Sequence, residues 1–248
     1  MKILVTGANG FIGKNLISAL RNRGYQEIFE LTRETDVSKF NVYCKECRFV
    51  FHLAGVQRPE DRSEFKTGNY EFTKSLIDRL DHFRNSSPVM YASSIQAELE
   101  NDYGASKRAS EEILVVRQKE TNADAYIYRF PNIFGRLGKP NFNSAVNTFC
   151  HNVAHGLPII VNDPSTEMRL AYIDDVTAEL ISCLEGKPLQ KGQFCFVEPV
   201  YRVLIGQIVY LLGCYKNALQ ANELLELDEG FQVKLRDAYL DYRSSVLK

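Results

Sequence analysis

The stretch "VTGANGFIG", Val5–Gly13, sets Gly7, Gly10 and Gly13 between an apolar strand-like run and a helix-like one. That placement carries a specific physics. Gly7 and Gly10 permit a tight turn and let a pyrophosphate approach the backbone, while Gly13 lets the helix pack closely on the strand. The helix start presents free N–H groups and a partial positive charge to an anion. A plain βα turn with helpful glycines is the bland alternative, and three glycines at this spacing and place make it the lesser one. The turn predicts a dinucleotide bordered by Gly7, Asn9, Gly10, Phe11, Ile12 and Gly13.

Outward from this turn, strand-like and helix-like segments alternate. "KILVTG", "EIFELTR", "RFVFHLAG", "PVMYASS" and "AYIYRF" read as strands. "FIGKNLISALRNRG" has Ile12, Leu16 and Leu20 on one helical face and Gly24 at its C′ position. "SEFKTGNYEFTKSLIDRL" and "GASKRASEEILVVRQKE" read as further helices. β-α-β alternation implies an α/β, Rossmann-type, doubly wound parallel sheet with helices on both faces. After about Pro131 the pattern changes. "AVNTFCHNVAHG" and "DDVTAELISCLEG" are helical, "LPIIV" reads as a short strand, and short mixed elements are expected beyond Lys187. The expectation is one domain over 1–248, with a nucleotide-binding core over about 1–130 and a small interleaved C-terminal lobe over 131–248 mainly for substrate.

With 248 residues, a net charge of −1 and 45% hydrophobic residues, the chain reads as a soluble globular protein. No basic stripe predicts nucleic acid as a partner, and no apolar run approaches the roughly 20 residues of a membrane span. "MKILVTGANG" is too short in apolar run for a signal peptide, so a cytoplasmic protein is expected. Of six cysteines only "CKEC", Cys44 and Cys47, has motif-like spacing. It lacks a second pair for zinc and precedes a strand, so ordinary thiols are the better reading. Asp174 and Asp175 look like a metal pair but suit the first turn of the helix that follows; no metal site is predicted.

"DYGASK", Asp102–Lys107, places Tyr103 and Lys107 four apart, with "YASSIQ" nine residues before. Residues i and i+4 on a helix have Cβ atoms about 5–6 Å apart, so Lys107 can set its charge near the Tyr103 phenol and is expected to lower the tyrosine pKa. An unassisted tyrosine, with a pKa of about 10, is poorly matched to neutral pH. Ser94 ends a strand at the sheet edge where ligands bind and can donate to a carbonyl oxygen. A bare YxxxK is usually a solvated helix face; the ordered set of glycine turn, "HLAG", strand-end serine and YxxxK is far more specific.

That set resembles the extended, sugar-nucleotide branch of the short-chain dehydrogenase/reductase superfamily. The resemblance implies Tyr103 as proton donor or acceptor, Lys107 also as holder of the nicotinamide ribose, and Ser94 as orienter of the carbonyl, with Ser93 the alternative serine. It implies that Leu53, Ala54 and Gly55 of "HLAG" border the cofactor, with Asn69, Ser93 and Phe130 beside it. It also implies a homodimer through a four-helix bundle built on the YxxxK helix and the helix before it.

Longer stretches, "FVFHLAGVQRPED", "SSIQAELENDYGASK", "YIYRFPNIFGRLGKPNFNSAVNTFC" and "RLAYIDDVTAEL", resemble the N-terminal reductase domain of bifunctional capsular-polysaccharide enzymes. Those enzymes make UDP-2-acetamido-2,6-dideoxy-L-talose on the route to UDP-N-acetyl-L-fucosamine. The resemblance implies NADPH-dependent reduction of the C4 ketone of a UDP-4-keto-6-deoxy-hexosamine, for capsule or O-antigen synthesis. It implies substrate contacts from Arg58, Ser94, Gln96, Asn132, Asn141, Asn143 and Arg169, with Lys139 in the same loop. For each of these alone a surface or loop role competes. That family carries a C-terminal cupin that epimerises C3. Here the four histidines, His52, His82, His151 and His155, form no metal motif, so C3 epimerisation is not expected.

Two alternatives stand beside the reductase. A dehydratase would place an acidic pair after the catalytic hydroxyl, where this chain has Ile95 and Gln96; a 4-epimerase is not excluded by that. A non-catalytic NADP-binding regulator would keep the glycine turn and lose the Tyr–Lys pair. For the cofactor, NADP(H) is expected. The second strand ends about 20 residues after the last glycine, where NAD-selective folds carry an acid. Here Thr32 and Arg33 stand, and a guanidinium binds phosphate bidentately. Glu30 lies two residues earlier, about 6.6–6.8 Å along the strand, too deep to reach the ribose.

Overall fold

The computed structural model describes residues 1–142, 144–223, 227–228 and 230–246. Along the chain run β1 (Ile3–Thr6), α1 (Phe11–Asn22), β2 (Ile28–Leu31), α2 (Val37–Glu46), β3 (Phe49–His52), the single turn α3 (Ser63–Phe65), a π-helical segment (Lys66–Glu71), α4 (Phe72–His82), β4 (Val89–Ser94) and a 3₁₀ turn (Ile95–Glu98). Then come α5 (Asp102–Thr121), β5 (Ala125–Phe130), β6 (Asn132–Phe134), α6 (Ala145–Ala154), β7 (Glu167–Tyr172), α7 (Ile173–Leu184), β8 (Gln190–Lys191), β9 (Phe194–Cys195), β10 (Tyr201–Leu204), α8 (Ile205–Ala221) and α9 (Phe231–Val246).

Two compact units emerge. The first comprises Met1–Phe130 and Thr177–Val197. Its sheet has the order β2-β1-β3-β4-β5-β9-β8, parallel except where β8 meets β9. β1 and β3 are buried at every position, as strands covered on both faces must be. Leu4, Val50, Val89 and Ile127 of the strands pack with Phe40 and Cys44 of α2, Leu76 and Leu80 of α4, and Leu114 of α5. The chain leaves β1 for β2 on one side and returns to β3 on the other, so the sheet's switch point lies between β1 and β3. Ligands of open α/β sheets bind at the carboxyl ends of such strands.

The second unit comprises Pro131–Val176 and Glu198–Lys248. A three-stranded sheet, β10-β7-β6, pairs β6 with β7 parallel and β10 with β7 antiparallel. The helices α6, α8 and α9 pack on one another, with Leu235, Ala238 and Tyr239 forming the buried face of α9.

Two expectations are corrected here. "LPIIV" is not a strand, and Ile160 is 82% exposed; an apolar run without a neighbouring strand edge has no partner for its backbone. The segment beyond Lys187 carries two long helices, where short mixed elements were expected. α8 is apolar on most of its sides, so no 3.6-residue period shows in its sequence. The helix expected over Ser63–Leu80 is present, with a π-helical segment inside it. "CKEC" is structural: Asn85 Nδ2 donates to the carbonyls of Cys44 and Cys47. Burial pushes the two thiols up to about 12 and about 11.

Gly7 has a φ of +68°, and a Cβ there would lie 2.8 Å from the Ala54 nitrogen and 2.9 Å from its Cα. Gly7→Ala is therefore expected to destabilise the protein by about 1–3 kcal/mol and to weaken dinucleotide binding. Urea denaturation together with cofactor titration checks both.

Candidate active site

The glycine turn closes on itself, with Gly10 N–H donating to the Gly7 carbonyl at 2.8 Å. A Cβ on Gly13 would sit 2.3 Å from that same carbonyl, so the first turn of α1 lies directly against the end of β1. No side chain caps α1, which leaves its leading N–H groups pointing out of the turn. Asn9 and Gly10 are exposed there, while Phe11 is buried and Ile12 half-buried. Beside the turn lies a cleft of about 310 Å³ lined by Ala8, Asn9, Lys14, Arg21 and Glu30, among others. A turn with no room for Cβ atoms at Gly7 and Gly13, an uncapped helix and a cleft between that helix and β2 together fit a dinucleotide.

Beneath the turn runs a directional hydrogen-bond chain that sequence reading missed. Ala54 N–H donates to Thr6 Oγ1 at 3.1 Å, and Thr6 Oγ1 lies 2.8 Å from His52 Nδ1. His52 Nε2 lies 2.8 Å from Thr73 Oγ1, which donates to the Asn69 carbonyl at 2.7 Å. Thr73 spends its proton on the Asn69 carbonyl, so its oxygen accepts from His52 Nε2–H, and in the neutral ring Nδ1 then accepts from the Thr6 hydroxyl. Burial holds the ring neutral, taking its pKa down to about 3. The chain ties the ends of β1 and β3 to the helical segment that bears Asn69.

Asn69 occupies the π-helical segment and clamps the loop after "HLAG". Its Oδ1 accepts from Val56 N–H at 2.7 Å, and its Nδ2 donates to the Val56 carbonyl and to Ser106 Oγ. A π-bulge re-aims a side chain without ending the helix, which is why a periodicity argument passes over it. A Cβ on Gly55 would meet Asn69 Oδ1 at 3.0 Å and Lys107 Nζ at 3.1 Å. The glycine of "HLAG" thus makes room for the lysine. Leu53 and Ala54 are half-buried beside it.

The first unit brings Tyr103, Lys107 and Ser94 together. Asn101 caps α5 through Gly104 N–H at 2.7 Å, and Gly104 presses on the carbonyls of Gln96 and Leu99. This seats Tyr103 against the 3₁₀ turn that Ser94 begins. Hydrogen bonding to Ser94 and Gln57 acts on the Tyr103 hydroxyl, and Gln57 was not anticipated. Ser94 Oγ also accepts from Gln96 N–H at 3.1 Å. Lys107 is 4% exposed; its Nζ donates to the Ala92 carbonyl at 2.9 Å and lies over the Tyr91 and Tyr103 rings, 4.9 and 5.8 Å from their centroids.

The expected lowering of the Tyr103 pKa is corrected. Burial raises it, with the hydrogen bonds to Ser94 and Gln57 opposing. Lys107 is itself desolvated, to a pKa of about 8, and its ammonium is directed to the Ala92 carbonyl. Ser93, the alternative serine, is buried and donates to Glu111. Phe130 is buried with its ring stacked on Tyr128.

The remaining predicted residues are dispersed. Thr32 is half-buried, its N–H donating to Thr35 Oγ1, and Arg33 is exposed. Glu30 lines the cleft and pairs with Arg21 at 2.6 Å. Arg58 and Gln96 are exposed in the first unit. In the second unit Asn132 is exposed, with Nδ2 3.4 Å from the Arg169 carbonyl, and Arg169 is exposed on β7. Asn141 adopts a φ of +58° and its N–H donates to Thr148 Oγ1. Asn143 lies outside the described residues. Asp174 and Asp175 stand in the first turn of α7, where they pair with Arg136 at 3.0 Å and Lys234 at 3.1 Å. Among the described residues no group of three or more His, Cys, Asp or Glu is placed to hold a metal ion, and no helix is long and apolar enough to cross a membrane.

A doubly wound sheet with this glycine turn and Ser–Tyr–Lys set defines an extended short-chain dehydrogenase/reductase. Residues 3–191 match the NAD dependent epimerase/dehydratase family, and the chain belongs to it. It is 42% identical over 242 residues to a Pseudomonas aeruginosa protein named UDP-2-acetamido-2,6-beta-L-arabino-hexul-4-ose reductase, covering 98% of this chain and 65% of that one. The chain thus spans about two-thirds of that relative's length. The crystal structure of the capsular polysaccharide assembling protein CapF from Staphylococcus aureus matches with a TM-score of 0.91 and 38% identity, over 99% of this chain and 67% of that chain. The UDP-glucose 4-epimerase of Thermus thermophilus, solved with NAD, matches with a TM-score of 0.79 at 17% identity, over 99% of this chain and 100% of that chain. That last likeness is one of fold.

Neutral His52 makes acid destabilising. Unfolding lets it bind a proton that the fold refuses, so stability is intact above the ordinary histidine pKa. It falls by about 1.4 kcal/mol per pH unit from roughly pH 6 towards the folded value. His52→Asn is expected to flatten that limb, as measured by urea unfolding between pH 7 and pH 4.

Proposed function

We propose that the chain is an NADPH-dependent reductase of the C4 ketone of a UDP-4-keto-6-deoxy-hexosamine, acting in the cytoplasm in nucleotide-sugar synthesis for capsule or O-antigen polysaccharide. One observation carries this reading. Tyr103, Lys107 and Ser94 meet at the carboxyl edge of the sheet beside the glycine turn. They do so in a chain 42% identical to a protein named for reducing a hexul-4-ose.

Reduction of a ketone needs an acid at its oxygen. The raised pKa of Tyr103 suits that role, because it keeps the phenol protonated at neutral pH. Tyr103 delivers its proton to the carbonyl oxygen while the Ser94 hydroxyl donates a hydrogen bond to the same atom as charge grows there. Lys107, one turn on, supplies positive charge behind the phenol and holds the nicotinamide ribose. Bound NADPH supplies the hydride. The turn residues Gly7, Asn9, Gly10, Phe11, Ile12 and Gly13 hold the pyrophosphate, Thr32 and Arg33 hold the 2′-phosphate, and Leu53, Ala54, Gly55, Asn69, Ser93 and Phe130 border the rest. Arg58 and Gln96, both exposed in the first unit, contact the UDP-sugar. The protomers pair through α4 and α5 as a four-helix bundle.

Stoichiometric loss of NADPH absorbance with a UDP-4-keto-6-deoxy-hexosamine is the expected result. Sugar interconversion without NADPH loss would instead make the protein a 4-epimerase. Tyr103→Phe removes only the hydroxyl and is expected to lower turnover about 10²–10⁴-fold, with NADPH affinity retained; a rate above a tenth of wild type overturns the assignment. A charge-assisted hydrogen bond contributes about 1.5–3 kcal/mol. Arg33→Ala is therefore expected to raise the NADPH KM roughly 10- to 100-fold and leave that for NADH nearly unchanged; equal weakening of both cofactors sinks the 2′-phosphate reading.

A further inference from the structure

Tyr103, Lys107 and Glu111 stand at i, i+4 and i+8 on α5, in one row along the helix. Glu111 is 5% exposed. A carboxylate so deeply placed needs partners, and two residues give it three hydrogen bonds. Ser93 donates its hydroxyl to Oε1. Arg129 donates through Nε to Oε1 at 3.0 Å and through Nη2 to Oε2 at 2.6 Å, a bidentate fork. Ser93 and Arg129 are register partners across β4 and β5, so one carboxylate holds two adjacent strands and the catalytic helix at a single point. That point is one residue from Ser94 and one turn from Lys107.

From this geometry we propose that Glu111 is a positioning residue for the Ser94–Tyr103–Lys107 site: it fixes α5 against the ends of β4 and β5 and keeps the buried Lys107 ammonium charged. The proposal rests on the reading of Lys107 as a cofactor and catalytic group.

The charges around Lys107 support it. From β4 it meets the Tyr91 ring and the Ala92 carbonyl. From β3 comes His52, which is held neutral. The π-helical segment offers the neutral Asn69, and α5 itself carries Tyr103 and Glu111. Burial lowers the Lys107 pKa to about 8, and among these groups Glu111 is the carboxylate that opposes the fall. Arg129 faces Glu111 from the other side, where its Nη1 lies 3.4 Å from Glu98 of the 3₁₀ turn.

The test is Glu111→Gln, which keeps the shape and removes the charge. The Lys107 Nζ titration is followed by NMR of ¹⁵N-lysine-labelled protein, its resonance assigned with Lys107→Arg. NADPH affinity is measured by fluorescence over the same pH range. Expected is a fall in the Lys107 midpoint by roughly one unit, a tenfold change in its acidity. The loss of NADPH affinity at high pH moves down with it. A Lys107 titration that does not move overturns the proposal, whatever happens to the rate, because a merely structural ion pair affects folding and not that midpoint. A midpoint that moves while the NADPH profile stays still supports the Glu111–Lys107 link and overturns the cofactor role of Lys107. Should Glu111→Gln fold poorly by circular dichroism, because it strands Arg129, the double variant Glu111→Gln/Arg129→Gln is compared with Arg129→Gln alone, so that the Glu111 charge is the one difference between them, and the two Lys107 midpoints are read in the same way.

Discussion

Two backbones approach each other at the sheet's switch point, and much of the first unit is arranged around that approach. Gly7 leaves β1 with no room for a Cβ against Ala54, which follows β3. The close contact lets Thr6 take the Ala54 N–H, and Thr6 in turn engages His52. From His52 the bonding passes through Thr73 to Asn69, and from Asn69 to the loop after "HLAG" and to Ser106 on α5. The glycine turn and the Tyr–Lys helix are thereby parts of one hydrogen-bonded frame. A polar network of this kind is specific only when every member is satisfied, and the neutral histidine is what makes its directions consistent.

The second organising feature is a lysine buried without a directly paired carboxylate. Its ammonium is met by a carbonyl, two aromatic faces and the space that Gly55 leaves. Desolvation brings its pKa towards neutrality, while desolvation moves Tyr103 the other way. Opposite displacements of two neighbouring titratable groups mark sites where acid and base roles have been separated by environment. Both displacements have one cause, since burial favours the uncharged form of each group.

The sequence by itself determined the class of fold and the nearness of Tyr103, Lys107 and Ser94. Val5–Gly13, the five strand-like runs and the ordered "HLAG", "YASS" and "DYGASK" are local patterns, and local backbone geometry follows from local residue types. The helix spacing put Tyr103 beside Lys107, and the strand end put Ser94 at the sheet's edge. What the sequence left open was decided by burial and by contacts between distant residues. Whether Ser93 or Ser94 faces the phenol turned on Glu111, eighteen residues on, which takes the Ser93 hydroxyl. The direction of the Tyr103 shift turned on desolvation, which no spacing encodes. The π-helical turn at Asn69, the His52 chain and Gln57 beside Tyr103 arise only when β1, β3 and α5 are assembled. "LPIIV" failed as a strand, and the apolar helix α8 went unread, for the same reason. Apolar residues state that something must cover them, and only the tertiary structure states what does.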